Sequence, residues 1–213
     1  MLFLDNQNRS LSQEEEQITV EQFTALLGQY SSQIELVWKM LALCMILLVQ
    51  ITFIFFESGS VSQKTTQTVL NKSTFVFVVT AVSYYFVGFG FANQAFGGLC
   101  GTQWLFGANM TIPLVTELLH QFCLLQIFIS IVTSCLIERT HLDTYLLLAI
   151  YLSSFVFPIP ISWVWGDGWL AQKGVLDFAG AGVVHALSGA IGLISALKVG
   201  PRLGIFQEKL NLE

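Results

Sequence analysis

The sequence predicts an all-α membrane protein, a bundle of five transmembrane helices, on three observations. The 213 residues are 54% hydrophobic and only 11% charged, whereas a soluble domain carries roughly 25% charged residues. Apolar stretches close to the ~20 residues that cross a hydrocarbon core recur along the chain. They run approximately from Leu36 to Phe56, Ser73 to Ala92, Thr111 to Ile137, Leu142 to Trp165 and Val175 to Val199. Most basic residues fall between or beyond these stretches. Backbone groups in lipid must be satisfied within their own segment, so each stretch is expected to be helical. Mean hydropathy is +0.68, in keeping with that class.

Residues 1–35 form an acidic polar leader, in which Asp5, Glu14, Glu15, Glu16, Glu21 and Glu35 face only Arg9. Ser12 with Glu15 has a capping-box spacing, and Ile18, Phe23, Leu26, Leu27 and Tyr30 make a loose apolar stripe. A short amphipathic helix lying on a protein partner or the membrane edge is one reading, and a frayed tail is the other. The shortage of Lys and Arg argues against nucleic acid or anionic lipid as the leader's partner. Met1 to Leu4 is too short for a secretory h-region, so the first membrane helix is expected to serve as the targeting signal, whichever membrane receives it.

Residues 36–200 form the five-helix domain, and 201–213 a short polar tail. Pro158 and Pro160 are expected to break or kink the end of the fourth span, before Trp163, Trp165 and Trp169, which suit an interface. Basic residues divide six to three: Lys64, Lys72, Arg139, Lys198, Arg202 and Lys209 against Arg9, Lys39 and Lys173. That split places the C-terminus on the cytoplasmic-like side. Glu57 with Lys64 and Glu138 with Arg139 are expected to pair at the turns there, while His141 and Asp143 stay solvated. Cys44, Cys123 and Cys135 fall in apolar spans and Cys100 in a loop, with no close-spaced pair for a metal.

Chemistry concentrates in two spans. The last begins with Asp177 and carries His185 eight residues later, ~12 Å along a continuous helix and about 80° around it. A carboxylate there can cap orphan N–H groups or supply a field for a cation. His185 is either glue between packed helices or a group that accepts a proton and passes it on. Two lines of small residues, Gly182, Ala186, Ala190 and Ser188, Gly192, Ala196, suit close helix packing. In the third span, Glu117, His120 and Gln121 form a polar patch on one face. Glu-x-x-His is a metal spacing, but bundle sites need further ligands, so no metal is expected. Haem between His120 and His185 is a distinct possibility that two facing histidines allow. No nucleophile elbow, phosphate loop or paired carboxylate supports an enzyme.

The run DFAGAGVVHALSGAIGLISALKVGPRLG from Asp177 resembles the fifth-helix signature of the ammonium transporter and Rh superfamily. Trp165 stands at that family's spacing before Asp177. Glu138 and Arg139 are similar to its acid–arginine turn, and Gln50, Phe53, Glu57, Gly59 and Lys64 resemble its first helix and loop. The likeness runs from about Trp38 to Gly204. It implies one of the two inverted five-helix repeats of the ammonium transporter fold, with a pore formed between repeats and three subunits per assembly. By that resemblance Trp165 and Asp177 are recruitment and support residues, and His185 is a pore relay whose stacking partner lies in the other repeat. Gln121 matches a family glutamine, whereas His120 and Leu124 stand at the positions of its gate phenylalanines. The expectation is ammonium or ammonia conduction that is not autonomous. The alternative is a transport-inactive accessory subunit of a larger membrane complex. Lipid and protein partners are expected, without nucleic acid and without a cofactor.

Overall fold

The structure, a computed structural model, describes residues 2–93, 100–102, 104–108 and 110–202, with side chains from Thr19 onward. Its helices are α1 (Leu2–Gly59), α2 (Thr66–Ala92), α3 (Ile112–Ser134), α4 (142–164), the short α5 (Trp169–Gln172) and α6 (Ala181–Val199). Among the described residues, five helices are long and apolar enough to cross a membrane. The chain is an integral membrane protein built as a five-helix bundle, as the apolar stretches predict.

Two compact units divide the chain, Met1–Ala42 and Leu43–Glu213. The first is helix alone. Helix α1 passes residue 35 without a break, and an i,i+4 ion pair joins Glu35 to Lys39 at 3.0 Å. Phe23, Leu26, Leu27 and Tyr30 are all exposed. The Ser12–Glu15 pair and Ile18 lie outside the residues whose side chains are described.

The second unit is organised around α3, which buries Leu125, Phe128, Ile129 and Val132 against Tyr84, Phe89, Phe157 and Ile161. A helix apolar nearly all round belongs in the centre of a bundle. Its buried polar groups are matched by neighbours. Gln126 Nε2 donates to Thr80 Oγ1 at 2.7 Å, and Gln50 and Ser130 exchange hydrogen bonds at 3.0 and 3.1 Å.

Among the described residues, three helices contain a wider π turn: α2 at Tyr84–Gly88, α4 at Leu152–Val156 and α6 at Ala181–Ala186. The one in α4 has a clear cause. Pro158 cannot donate to the carbonyl four residues back and its ring crowds that group. The preceding turn widens, and the Phe157 N–H bonds Leu152 O at 2.9 Å. The prolines therefore deform the turn before them, and the helix continues to Val164 rather than breaking there. The π turns of α2 and α4 meet at Gly88, where a Cβ would stand 2.3 Å from the Ser153 carbonyl oxygen.

Helix α2 starts at Thr66, earlier than the apolar stretch suggests, and so takes Lys72 into the bundle. Lys72 does not cap a loop. It donates to both oxygens of Glu57 at 3.0 Å, with both side chains 4% exposed. Ser73 and Ser134 also donate to Glu57, and Lys72 lies 5.0 Å from the Tyr145 ring centroid. Lys64, the expected partner of Glu57, is exposed.

Of the two small-residue lines on α6, only one is buried within the chain. Ser188 and Gly192 face α3, and a Cβ at Gly192 would meet Cys135 Sγ at 2.6 Å. Gly182, Ala186 and Ala190 are exposed.

Candidate functional site

The site grows from the end of α4. That helix stops at Trp165, whose N–H bonds Ile161 O at 2.7 Å, and the chain turns back through Asp167 in left-handed geometry. The Trp165 indole Nε1 then donates to the Asp177 carbonyl at 3.2 Å.

Asp177 does not sit in the first turn of the last helix, as an uninterrupted Val175–Val199 span requires. Residues 175–180 are not helical, and Ala179 and Gly180 both have positive φ, 57° and 80°. Asp177 reaches forward instead. Its Oδ1 accepts from the Gly182 N–H at 3.1 Å, and its Oδ2 from the Val183 N–H at 2.8 Å. The carboxylate satisfies two orphan donors at the start of α6 and stands at the positive end of its dipole. Gly180 is required twice: its φ is left-handed, and a Cβ would lie 2.6 Å from Val184 Cγ2. The continuous helical offset between Asp177 and His185 does not exist, yet the turn carries both to one place.

That place is a half-open cavity of about 470 Å³ between α3 and the Trp165–His185 region. Glu117, His120, Gln121 and Leu124 line it from α3, a stripe at helical spacing, and Trp165, Asp177, Ala179 and His185 line it opposite. All six residues singled out from the sequence, His120, Gln121, Leu124, Trp165, Asp177 and His185, thus meet around one space. Gln121 is buried and fixed. Its Oε1 accepts from the Tyr84 hydroxyl at 2.7 Å, and its Nε2 donates to Asn93 Oδ1 at 3.2 Å and Glu117 Oε1 at 3.1 Å. His120 is half-buried and His185 exposed to the cavity mouth. Among the described residues, neither imidazole has a hydrogen-bond partner, and no three His, Cys, Asp or Glu side chains cluster as a metal site requires.

A family model described as Ammonium Transporter Family matches residues 37–213. The chain belongs to that family. Ammonium transporter Amt2 of Archaeoglobus fulgidus is 31% identical over 191 residues, covering 84% of this chain and 41% of the archaeal one. Ammonium transporter 1 member 1 of Oryza sativa subsp. japonica is 35% identical over 166 residues, covering 70% of this chain and 33% of its own. A solved structure titled Sensor Amt Protein superposes with a TM-score of 0.74 at 26% identity, covering 79% of this chain and 44% of that one. This ammonium transporter family member spans less than half the length of those relatives.

Tyr84 and Asn93 complete the site's hydrogen bonding and were not foreseen. Tyr84 lies in an aromatic run without a distinguishing pattern; Gly88, small among large neighbours, is the one local mark of the π turn that orients it.

Proposed function

We propose that this chain forms one wall of an ammonium or ammonia conduction path and conducts only when a second five-helix unit closes its cavity. The observation that supports this best is the open cavity that gathers Trp165, Asp177 and His185. In this reading Trp165 offers an aromatic face to an arriving cation, a contact worth ~1–2 kcal/mol when partly desolvated. Asp177 acts as a support, since its oxygens hold the start of α6 and its carbonyl holds the indole. His185, one turn into α6, exchanges hydrogen bonds with the permeating species. His120 and Leu124 replace an aromatic gate, which leaves the passage wider and more polar.

The second unit is expected against the exposed Gly182, Ala186 and Ala190 line of α6. The polar leader 1–35 and the tail 201–213 lie at the ends of the conducting domain 36–200 and are proposed as contacts for protein neighbours. Proteoliposomes carrying the full chain, alone and co-expressed with the C-terminal five helices of the archaeal relative, are the test, with ammonium-driven current as the readout. Current only in the paired sample is expected. Current from the chain alone overturns the need for a second unit, and no current in either overturns conduction in favour of an accessory role.

A further inference from the structure

We propose that His120 is a ligand-binding residue. Together with His185 it offers a pair of neutral imidazole acceptors, from α3 and α6, to a protonated amine of ammonium or methylammonium size. The class of ligand rests on the conduction reading above, and the assignment of His120 goes beyond it.

An ammonium group brings several N–H donors and a positive charge, so its site must supply acceptor atoms that the protein has not already used. The cavity wall contains few. Gln121 receives the Tyr84 hydroxyl on its oxygen and gives its amide to Asn93 and Glu117. Asp177 turns its oxygens to the Gly182 and Val183 N–H groups. Trp165 donates its only N–H to the Asp177 carbonyl and keeps its ring face. Among the lining side chains that offer a nitrogen lone pair, His120 and His185 stand on opposite walls of one cavity, without hydrogen bonds to the described residues. Two neutral imidazoles can each present one nitrogen lone pair. The carboxylates of Glu117 and Asp177, which line the same space, favour positive charge within it, and no Lys or Arg lines it among the described residues.

The pairing has a consequence that a single histidine lacks. An imidazolium has no acceptor nitrogen, so a protonated histidine and a bound cation exclude one another. Glu117 from α3 and Asp177 from the turn before α6 are the other titratable groups facing the pair, and Tyr84 of α2 communicates through Gln121. If both imidazoles must be neutral, two protons compete with each cation. Affinity then falls by up to about a hundredfold per pH unit on acidification, against about tenfold if one suffices.

The test uses the full chain in nanodiscs with isotope-labelled histidines, carrying His141→Gln to remove the third signal. Methylammonium chloride is the probe and sodium chloride the control. Binding should move the His120 and His185 resonances with a common midpoint, and affinity should fall by up to about a hundredfold per pH unit on acidification. His120→Gln, which keeps an acceptor and cannot be protonated there, should retain binding and show the tenfold slope. Movement of His185 alone, with a tenfold slope in the parent, overturns the role of His120 and leaves the conduction reading standing. No movement of either resonance overturns the ligand pair, and current in the paired proteoliposomes then decides the conduction reading by itself.

Discussion

Toward Ser134, α3 carries hydroxyls and amides that are all engaged: Gln126 with Thr80, Ser130 with Gln50, Thr133 with Lys72 and Ser134 with Glu57. Toward Ile112 the same helix carries Glu117, His120 and Gln121 beside an open cavity, and His120 has no partner among the described residues. Burial explains the contrast. A polar group shut away from water costs a few kcal/mol unless it is bonded, so the closed end can keep only matched pairs. The cavity end, open to its surroundings, carries no such requirement. The first arrangement is architecture, and the second is compatible with the binding role proposed above.

The largest effect should come from breaking the closed end at the buried Glu57–Lys72 ion pair. Lys72→Met leaves the Glu57 carboxylate, 4% exposed, without its counter-charge. A loss of about 3–5 kcal/mol is expected, read as the thermal midpoint in mild detergent. Glu57→Leu combined with Lys72→Met should recover most of it. Ser73, Thr133 and Ser134 each keep a bond to a carbonyl of their own helix when the charges go. A double variant as unstable as the single one breaks the comparison, because Glu57 and Lys72 would then matter for something besides each other.

How much of this was legible in the sequence depends on whether the deciding interaction is local. The five apolar stretches gave the five helices, and the spacing of Trp165, Asp177 and His185 gave three residues of one cavity. The start of α2 was misplaced because Lys72 reads as a loop charge until Glu57, 15 residues earlier in the chain, is placed beside it. The start of α6 was misplaced for the opposite reason. Val175, Leu176 and Phe178 are as apolar as any helix, and only the positive φ of Ala179 and Gly180 separates them from it. Periodicity measures burial within one segment. It is blind to a partner on another helix and to the sign of a backbone torsion.

A middle-sized effect should separate the two kinds of polar residue on the cavity stripe of α3. Gln121→Leu leaves the fully buried Tyr84 hydroxyl without its acceptor and removes the amide that donates to Asn93 and Glu117. A cost of about 1–3 kcal/mol is expected. His120→Phe, one position away, orphans no hydrogen bond and should change stability by less than about 1 kcal/mol. Tyr84→Phe added to Gln121→Leu should return part of the loss. Equal destabilisation by His120→Phe and Gln121→Leu erases the distinction between a fixed residue and an available one.

The smallest effect sharpens the comparison at a third place, the turn after α3. Glu138 holds a left-handed φ of 60°, unusual for a residue with a Cβ. Its carboxylate accepts from the Thr65 hydroxyl and from the Ser62 N–H and hydroxyl, at 2.9 and 3.0 Å for Ser62, and pairs with Arg202. Arg139, expected to pair with Glu138, donates instead to the Gly200 carbonyl at 3.1 Å. The Thr65 hydrogen bond first, then those from Ser62 and the Arg202 charge, hold the Glu138 carboxyl below the ordinary carboxylate range. A group whose folded pKa is depressed stabilises the fold above its unfolded pKa, and that contribution disappears as pH falls through the folded value. The parent should therefore exceed Glu138→Gln in stability by about 1 kcal/mol at pH 7. The difference should begin to shrink below about pH 4.5 and vanish once both chains carry an uncharged group there. Comparing the two thermal midpoints from pH 7 to pH 3 isolates this carboxyl, since every other acid titrates in both chains. A gap that stays constant with pH assigns the turn's stability to its backbone geometry rather than to the charge. The turn would then resemble the closed end of α3 only in shape.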